Sequence, residues 1–379
     1  MPGTPAPRKP VSRRRLLAAT GAATLAGGAA ALGPATTAAA TPAAPRIRPL
    51  DGPRLVLLGT AAGPPPEASR RGIASALVVD GRTYVIDCGR SAVTQYGLAG
   101  LKLADLKSIF LTHLHADHIA DYYNFFLLGA QLSNDEDDLI TKPVDVYGPG
   151  PAGALPPAFD HDDPPVVAPH HPTPGLKRLT EKQIEAFAYS TNVFIRDSGI
   201  ADPRTLIRTH EIEPPDGTGA HPLGPTAPPM EPFEVADDGT VRVTAILVDH
   251  GPVFPSYAFR FDTAHGSVVF SGDTVQHDNV VRLARGADLL VHEVMDADFY
   301  RAAGLPPAYL DHMLQSHTDV TEVGPIAERA GVDTLVLSHI CPADPKAVSS
   351  AQWRHRASKG FSGRVIAGED LQQIPLRGR

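Results

Sequence analysis

The sequence predicts an α/β (α+β) fold, because short strand-like apolar runs alternate with helical segments. Arg54 to Gly59 is an apolar run closed by glycine. Ala76 to Val79 and Thr83 to Ile86 flank an Asp80-Gly81 turn, which is a strong hairpin pattern. The 379 residues, 42% of them hydrophobic, suffice for one sizeable core. Further strands are predicted at 106–111, 241–248, 256–261, 268–271, 287–291 and 334–338, and helices at 122–132 and 320–330.

The first forty residues have the pattern of an export signal. Arg13 and Arg14 precede a weakly apolar run from Leu16 to Leu32, and small residues follow at 38–40, as a signal peptidase requires. The run is shorter than the ~20 apolar residues that span a bilayer. The sequence therefore predicts a cleaved twin-arginine-type signal at 1–40, one domain at 46–379 without a stable membrane span, and a periplasmic or extracellular location.

The charge balance argues against a nucleic-acid partner. Residues 1–40 hold five basic residues and no acidic one, so the rest of the chain sets 29 basic against 42 acidic residues. An acidic surface gains nothing from counterion release on a phosphate backbone. The sequence therefore disfavours nucleic acid as a partner, and it leaves open a homo-oligomer.

Residues 149–235 differ in composition from the rest of the chain. Prolines cluster at 164–174 and 214–232, around one predicted helix. That helix is predicted to begin at Thr180, since Gln183 stands at the capping-box position. We interpret 149–235 as an insertion over the site, acting as a lid or as a wall of the substrate site.

A dense group of metal-ligating side chains follows the predicted strand at 106–111. His113, His115, Asp117 and His118 fall within six residues. Imidazoles with a carboxylate suit zinc and similar metals. Three further candidates end strand-like runs: His250, Asp273 and His339. A rigid scaffold presents functional groups at such positions, and the total is right for two metal ions.

These motifs resemble the metallo-β-lactamase superfamily and, within it, the branch of ribonuclease Z and arylsulfatase-like phosphodiesterases. The resemblance extends over nearly all of the chain from residue 54 onward, apart from 149–235. It implies an αββα sandwich, in which helices flank two mixed β-sheets and the metals lie at one edge. The motifs that carry it are Leu57-Leu58-Gly59-Thr60, Ile86-Asp87-Cys88-Gly89, Thr112 to His118, Asp249-His250-Gly251, Ser271-Gly272-Asp273-Thr274 and Leu337-Ser338-His339.

The resemblance also implies a ligand for each metal position. One metal takes His113, His115 and His250; the other takes Asp117, His118 and His339; Asp273 bridges them. The metals are expected to be zinc, with manganese or iron as alternatives. Outside the ligand set, the resemblance implies supporting roles for Asp87, His292 and Glu293.

Ser316-His317-Thr318 resembles an additional histidine motif of the same branch. There this histidine supports proton transfer, paired with the aspartate of the metal cluster. Asp117, Asp273 and His317 are therefore the expected catalytic residues. A leaving alkoxide needs a general acid nearby, which makes this role of His317 chemically sensible.

The function expected from this set is hydrolysis of a small phosphodiester or sulfate ester by a metal-bound hydroxide. A lactonase or other acyl hydrolase is the main alternative, and a non-catalytic binding protein is disfavoured because every ligand position is filled. Transfer-RNA 3′ processing is also disfavoured. Members with that activity commonly carry an RNA-gripping arm between the third histidine and the bridging aspartate, whereas His250 and Asp273 are only 23 positions apart.

Overall fold

The computed structural model describes residues 48–129, 138–158 and 164–378, and these ranges contain two seven-stranded mixed sheets. The predicted signal at 1–40 lies outside them. The first sheet contains β1 (Arg54–Gly59), β2 (Ala74–Val79), β3 (Arg82–Ile86), β4 (Leu106–Phe110), β5 (Val144–Pro149), β6 (Ile207–Ile212) and β14 (Gln372–Pro375). The second contains β7 (Phe233–Asp237), β8 (Val241–Leu247), β9 (Tyr257–Thr263), β10 (Gly266–Phe270), β11 (Leu289–Met295), β12 (Thr334–Cys341) and β13 (Arg364–Ala367).

The two sheets have the same internal arrangement. The first runs β14-β1-β2-β3-β4-β5-β6 and the second β13-β12-β11-β10-β9-β8-β7. Pairs from β14 to β3 and from β7 to β10 are antiparallel, while those from β3 to β6 and from β10 to β13 are parallel. Parallel neighbours place their carboxyl ends at one edge, where loops from several strands can meet.

Strand β1 shows why the sheets stack face to face. Leu55 and Leu57 belong to a core cluster shared with strands of the second sheet, whereas Val56 and Leu58 belong to a second cluster under the first sheet's helices. Because side chains alternate along a strand, one sequence supplies both layers. The predicted αββα sandwich of two mixed sheets flanked by helices is confirmed.

The helices cover the outer faces and form the segments around the site. They are α1 (Ala92–Leu98), α2 (Ala116–Ile119), α3 (Leu176–Ala186), α4 (Ala188–Ser198), α5 (Pro203–Leu206), α6 (Asp278–Leu283), α7 (Ala297–Ala302), α8 (Pro307–Ser316), α9 (Val320–Ala330) and α10 (Ser350–Ala357). Among the described residues, none of these helices has the length and apolar character to cross a membrane.

Two predicted helices differ from the structure in their bounds or type. The helix expected from Thr180 begins at Leu176, and Thr180 lies buried inside it, where its hydroxyl donates to the Leu176 carbonyl. The helix expected at 122–132 is a π-helical turn at Phe125–Gly129, and residues 130–137 lie outside the described ranges.

Part of the Pro-rich segment 149–235 is integral to the sandwich. Strand β6 pairs with β5 as an edge of the first sheet, and β7 pairs with β8 as an edge of the second. The description of the whole segment as an insertion therefore needs correction. Helices α3 and α4 lie between these two strands in the chain, and a lid or wall role for them stays a prediction.

Cys88 and Cys341 do not form a disulfide. Cys88 is buried, and Cys341 lies 2.7 Å from the hydroxyl of Tyr300. Burial raises the pKa of both thiols, that of Cys341 to about 12. Cys88 therefore behaves as a small buried group, and Cys341 as a half-buried thiol in contact with Tyr300.

Candidate metal centre

Asp87 braces the loop that carries the dense ligand group. It follows β3 and accepts hydrogen bonds from the Thr112 backbone N–H at 2.8 Å and the Thr112 hydroxyl. Its other oxygen lies 2.9 Å from Nδ1 of His118. When a carboxylate holds one imidazole nitrogen, the other faces a metal position. The geometry therefore gives Asp87 the supporting position expected from the sequence.

The predicted ligand atoms converge as two groups with one shared member. His113, His115, His250 and Asp273 form one group, and Asp117, His118, His339 and Asp273 form the other. Within each group the ligand atoms lie within 4.8 Å of one another. All seven candidates are thus brought together, with Asp273 in the bridging position.

Asp273 lies between the two groups. Its Oδ2 atom is 3.9 Å from Nε2 of His113 and 3.8 Å from Nε2 of His250. The same atom is 3.3 Å from Nε2 of His118 and 3.2 Å from Nε2 of His339. One carboxylate oxygen thus faces imidazoles of both groups, as a bridging ligand requires.

Unpartnered buried atoms support a divalent metal at this centre. Nε2 of His113, Nε2 of His118 and Oδ1 of Asp273 are buried without a hydrogen-bond partner. In addition, Nε2 of His250 and Nδ1 of His115 approach to 3.2 Å. Buried polar atoms are almost always satisfied, so several unsatisfied atoms that converge indicate a missing common partner. Imidazoles with carboxylates fit a divalent metal such as zinc.

The backbone places the ligands after strands, at a distortion of one strand, or on the short helix α2, which carries Asp117 and His118. His339 is the extra residue of a bulge, since Glu293 pairs with Ser338 and Val294 with Ile340, and its φ angle is +44°. Asp273 follows Gly272, where an added Cβ would lie 2.6 Å from the Tyr257 carbonyl oxygen. Bulges commonly redirect a side chain beside an active site.

Two further contacts orient the ligands. Nδ1 of His250 lies 2.8 Å from the carbonyl oxygen of Ser316, at the end of α8. Oδ2 of Asp117 accepts a hydrogen bond from the Gly63 backbone N–H at 3.0 Å. The first contact leaves Nε2 of His250 for the metal position. The second could not be inferred from sequence, because it joins residues 54 positions apart.

Burial and neighbouring charges shift the pKa values of four candidate ligands. Burial holds the pKa of His113 and of His250 well below the ordinary value, so both rings are neutral. Burial alone would raise the pKa of Asp273, but the imidazoles of His339 and His118 lower it. Burial also opposes a charge on His118, yet Asp273, Asp87 and Asp117 raise its pKa well above the ordinary value.

His317 is held against the same centre by Glu293. Its Nδ1 atom is 3.2 Å from Oε1 of Glu293, which also accepts the backbone N–H groups of Thr274 and Thr318. The His317 ring lies 5.2 Å from that of His250 and 5.6 Å from that of His339. Burial lowers the pKa of His317, but Glu293 outweighs it and the pKa rises to about 9.

His292, beside Glu293, is buried and belongs to neither group of ligand atoms. Its Nδ1 atom is 2.7 Å from the Glu293 carbonyl oxygen, and burial lowers its pKa. Its Nε2 atom has no hydrogen-bond partner among the described residues. His292 lines a cavity of about 30 Å³ together with Asp87, Ser338 and the candidate ligands His118, Asp273 and His339. This fits a supporting position and leaves no ligand role.

His312 belongs to the site although the sequence did not indicate it. It lies on α8, and its ring is 6.3 Å from His115 and 6.1 Å from His250 and from His317. One feature of the sequence could have identified His312. It stands four residues before Ser316, so both lie on one face of a helix that leads into the His317 motif.

Comparisons with known proteins agree with this geometry. A model of the metallo-beta-lactamase superfamily matches residues 69–126, and a beta-lactamase superfamily domain matches residues 198–340. Among solved structures, human tRNase Z, short form, has a TM-score of 0.56 and 21% identity over 85% of this chain and 99% of its own. The metallo-beta-lactamase fold protein YhfI from Bacillus subtilis has a TM-score of 0.53 and 18% identity, over 86% of this chain and all of its own.

The curated relatives carry a more specific name. A protein of Mycobacterium bovis named ribonuclease Z is 32% identical over 325 residues, which cover 86% of this chain and 99% of the relative. Ribonuclease Z of Mycobacterium avium is 31% identical over 85% of this chain and 98% of its own length. The chain is a metal-dependent hydrolase with the metallo-β-lactamase fold, and it belongs to the ribonuclease Z branch of that superfamily.

Proposed function

We propose that this protein is an endoribonuclease of the ribonuclease Z type, which hydrolyses a phosphodiester bond near the 3′ end of precursor transfer RNA with two zinc ions. The observation that carries this proposal is the 32% identity over 325 residues to a ribonuclease Z, extending over 99% of the relative. The complete set of ligand side chains supports it.

This proposal corrects the substrate expected from the sequence. A small phosphodiester or sulfate ester was favoured and nucleic acid was disfavoured, and the ribonuclease Z relatives overturn both expectations. The net charge was a poor guide, because an average over the whole surface does not describe the local field where RNA binds. The spacing of His250 and Asp273 was also a poor guide, since the alignment leaves almost none of the relative unmatched.

The donor set favours zinc over the alternatives. Five imidazoles and two carboxylates surround the two positions, and this mixture suits zinc better than harder cations. Bound there, two such ions would lower the pKa of a water molecule toward ~7 and neutralise charge on the phosphoryl oxygens. The Asp273 carboxylate would set the distance between the two positions.

The residues around the ions supply orientation and proton transfer. Asp117 is fixed by the Gly63 N–H and lies 3.3 Å from Nε2 of His339, so it cannot turn away from the centre. His317, charged through its contact with Glu293, would donate a proton to the ribose oxygen that leaves. Water adds to phosphorus, the bond from phosphorus to that oxygen breaks, and the oxygen takes the proton.

Cleavage of a defined RNA tests the proposal. The full-length zinc-loaded chain is mixed with a transcribed precursor transfer RNA that carries a 3′ trailer, and the products are mapped to single-nucleotide resolution. Cleavage at one position near the 3′ end of the mature sequence is expected, and a His113→Ala control should be inactive. Rapid hydrolysis of a lactone or sulfate ester with intact RNA would contradict the proposal.

Export remains a separate proposal. We propose that residues 1–40 direct the chain out of the cytoplasm, because Arg13 and Arg14 precede a mild apolar run. Replacing both by Lys should retain the protein in the cytoplasmic fraction. Equal amounts outside the cytoplasm for wild type and the double variant would contradict the twin-arginine route. Wild-type protein confined to the cytoplasmic fraction would contradict export and would fit RNA processing inside the cell.

A further inference from the structure

We propose that His312 contacts the substrate and donates a hydrogen bond from Nε2–H to a non-bridging oxygen of the scissile phosphate. This inference rests on the proposed function, because it takes the substrate to be an RNA phosphodiester. It adds a substrate contact from α8, a helix that carries no metal ligand of the set described above.

The position of His312 supports this contact. Its ring lies at nearly equal distances, 6.1 to 6.3 Å, from the rings of His115, His250 and His317. It therefore faces the ligands of one metal position and the proposed proton donor together. The side chain is only half-buried, whereas that of His250 is fully buried, so part of the His312 ring stays accessible to a ligand. A phosphate bound between the metal position and His317 would therefore lie beside this ring.

Two contacts fix the position of α8 relative to the metal position. The carbonyl oxygen of Ser316, the last residue of α8, accepts the hydrogen bond from His250. Gly251 packs against the same residue, and an added Cβ there would lie 2.7 Å from Oγ of Ser316. Gly251 also has a φ angle of +55°, which favours glycine. His312, one helical turn earlier, is therefore held in register with the His250 loop.

The free nitrogen of His312 has the chemistry for a phosphate. Nδ1 lies 3.2 Å from Oγ of Ser316, and among the described residues Nε2 has no hydrogen-bond partner. When the Ser316 hydroxyl donates to Nδ1, the proton of the neutral ring is on Nε2, where it can only be donated. Phosphoryl oxygens only accept hydrogen bonds, and charged acceptors form the stronger ones.

His312 is not part of either metal group. Neither of its nitrogens belongs to the clusters of potential ligand atoms found among the described residues. Removing the ring should therefore leave the metal content unchanged while it weakens cleavage. A purely structural role would instead lower the melting temperature, and a ligand role would lower the metal content.

The test compares wild type, His312→Ala and His312→Gln, each as the full-length zinc-loaded chain. The control is Gln315→Ala, which removes an exposed side chain from the same helix. Metal content and melting temperature are measured for each variant. Cleavage is measured on the precursor RNA with a normal scissile phosphate and with each of its two phosphorothioate diastereomers, in which sulfur is the poorer hydrogen-bond acceptor.

We expect kcat/KM for the normal phosphate to fall on the order of 10- to 100-fold in His312→Ala. His312→Gln, which keeps an N–H donor, should recover part of this loss, and Gln315→Ala should match wild type. The slowing caused by sulfur in one diastereomer should shrink on the order of 10-fold in His312→Ala, because the lost contact no longer distinguishes the two atoms.

Three results would overturn the inference. Wild-type rates in His312→Ala would remove it directly. Equal slowing of all three substrates, or a fall in metal content or melting temperature, would replace it with a structural role. Wild-type protein that cleaves none of the RNAs would overturn the proposed function itself, and the assignment of His312 to a phosphate would fall with it.

Discussion

The metal loops and the segment from α7 to α8 meet at one site but are held by different packing. The loops extend from strands whose side chains fill two large clusters, and Leu57, Phe259 and Leu337 in them have no exposed surface. The α7–α8 segment is fixed by a small separate cluster of Met295, Ala297 and Met313. Regions with fewer buried apolar contacts open locally at lower free energy. The candidate cation positions are thus built into the core, while the α7–α8 segment is held less firmly.

The largest effect on activity is expected from substitution of Asp273, because both metal positions depend on this residue. Asp273→Ala should remove most of the bound metal and lower kcat/KM by on the order of 10⁴-fold or more, since the carboxylate faces both ligand groups. Elemental analysis and cleavage assays check this. Retention of two ions per chain by the variant would show that Asp273 does not bridge the two positions.

Substitution of His317, which follows α8, tests the side of the site that the smaller apolar cluster holds. His317→Ala should keep its metal, while turnover falls on the order of 10²- to 10⁴-fold, the usual range for a general acid. The loss should shrink for a nitrophenyl phosphodiester, because that leaving group needs little protonation. His265→Ala, an exposed histidine bound to Asp80, is the control. An equal loss for every leaving group would indicate a positioning role instead.

Substitution of Asp87 tests how much a buried carboxylate contributes to the orientation of the ligand His118. Asp87→Asn removes the carboxylate charge beside Nδ1 of His118 and should weaken metal binding on the order of 10- to 100-fold. The effect is measured by titration with a metal chelator. Asp145→Asn is the control, because Asp145 lies near the amino-terminal end of β5 and is not among the ligand groups. Metal affinity equal to that of wild type would mean that the backbone alone orients His118.

The smallest effect on activity, and the most direct test of the comparison, is expected from packing. Met313→Ala should destabilise the α7–α8 segment by about 2 kcal/mol. Hydrogen exchange should accelerate at 307–316 while the strands stay protected. Met230→Ala, in the large cluster between the sheets, should instead lower global stability. Equal global destabilisation by both variants would show that the segment is as firmly held as the core.

The ligands could be predicted because they lie close together in the sequence or closely follow strand-like runs. The group from His113 to His118 is dense, and His250, Asp273 and His339 each end or interrupt a buried strand. His312 could not be predicted in this way. A single histidine within a helix has no distinguishing pattern, and its relevance depends on the contact between the Ser316 carbonyl and His250, which joins residues 66 positions apart.

The errors in the fold have an equally physical origin. Strand β6 is an edge strand whose charged and polar side chains hide its pattern, so its surroundings were interpreted as an insertion. Thr180 and Gln183 match a capping box, but Thr180 faces the core and shares a hydrogen bond with the Tyr122 hydroxyl at 2.9 Å. Tertiary packing decided both cases, and a local pattern contains no information about it.

One oxygen atom of Glu293 serves two purposes at once. Oε1 accepts backbone N–H groups from Thr274, next to Asp273, and from Thr318, and it also contacts the His317 ring. A change that altered the acidity of this ring through Glu293 would also leave two buried N–H groups unsatisfied. The packing of these chain segments and the acidity of the proposed proton donor therefore depend on the same oxygen atom, so neither can evolve independently of the other. Adjusting the ring to a different leaving group must therefore come from substitutions elsewhere around it.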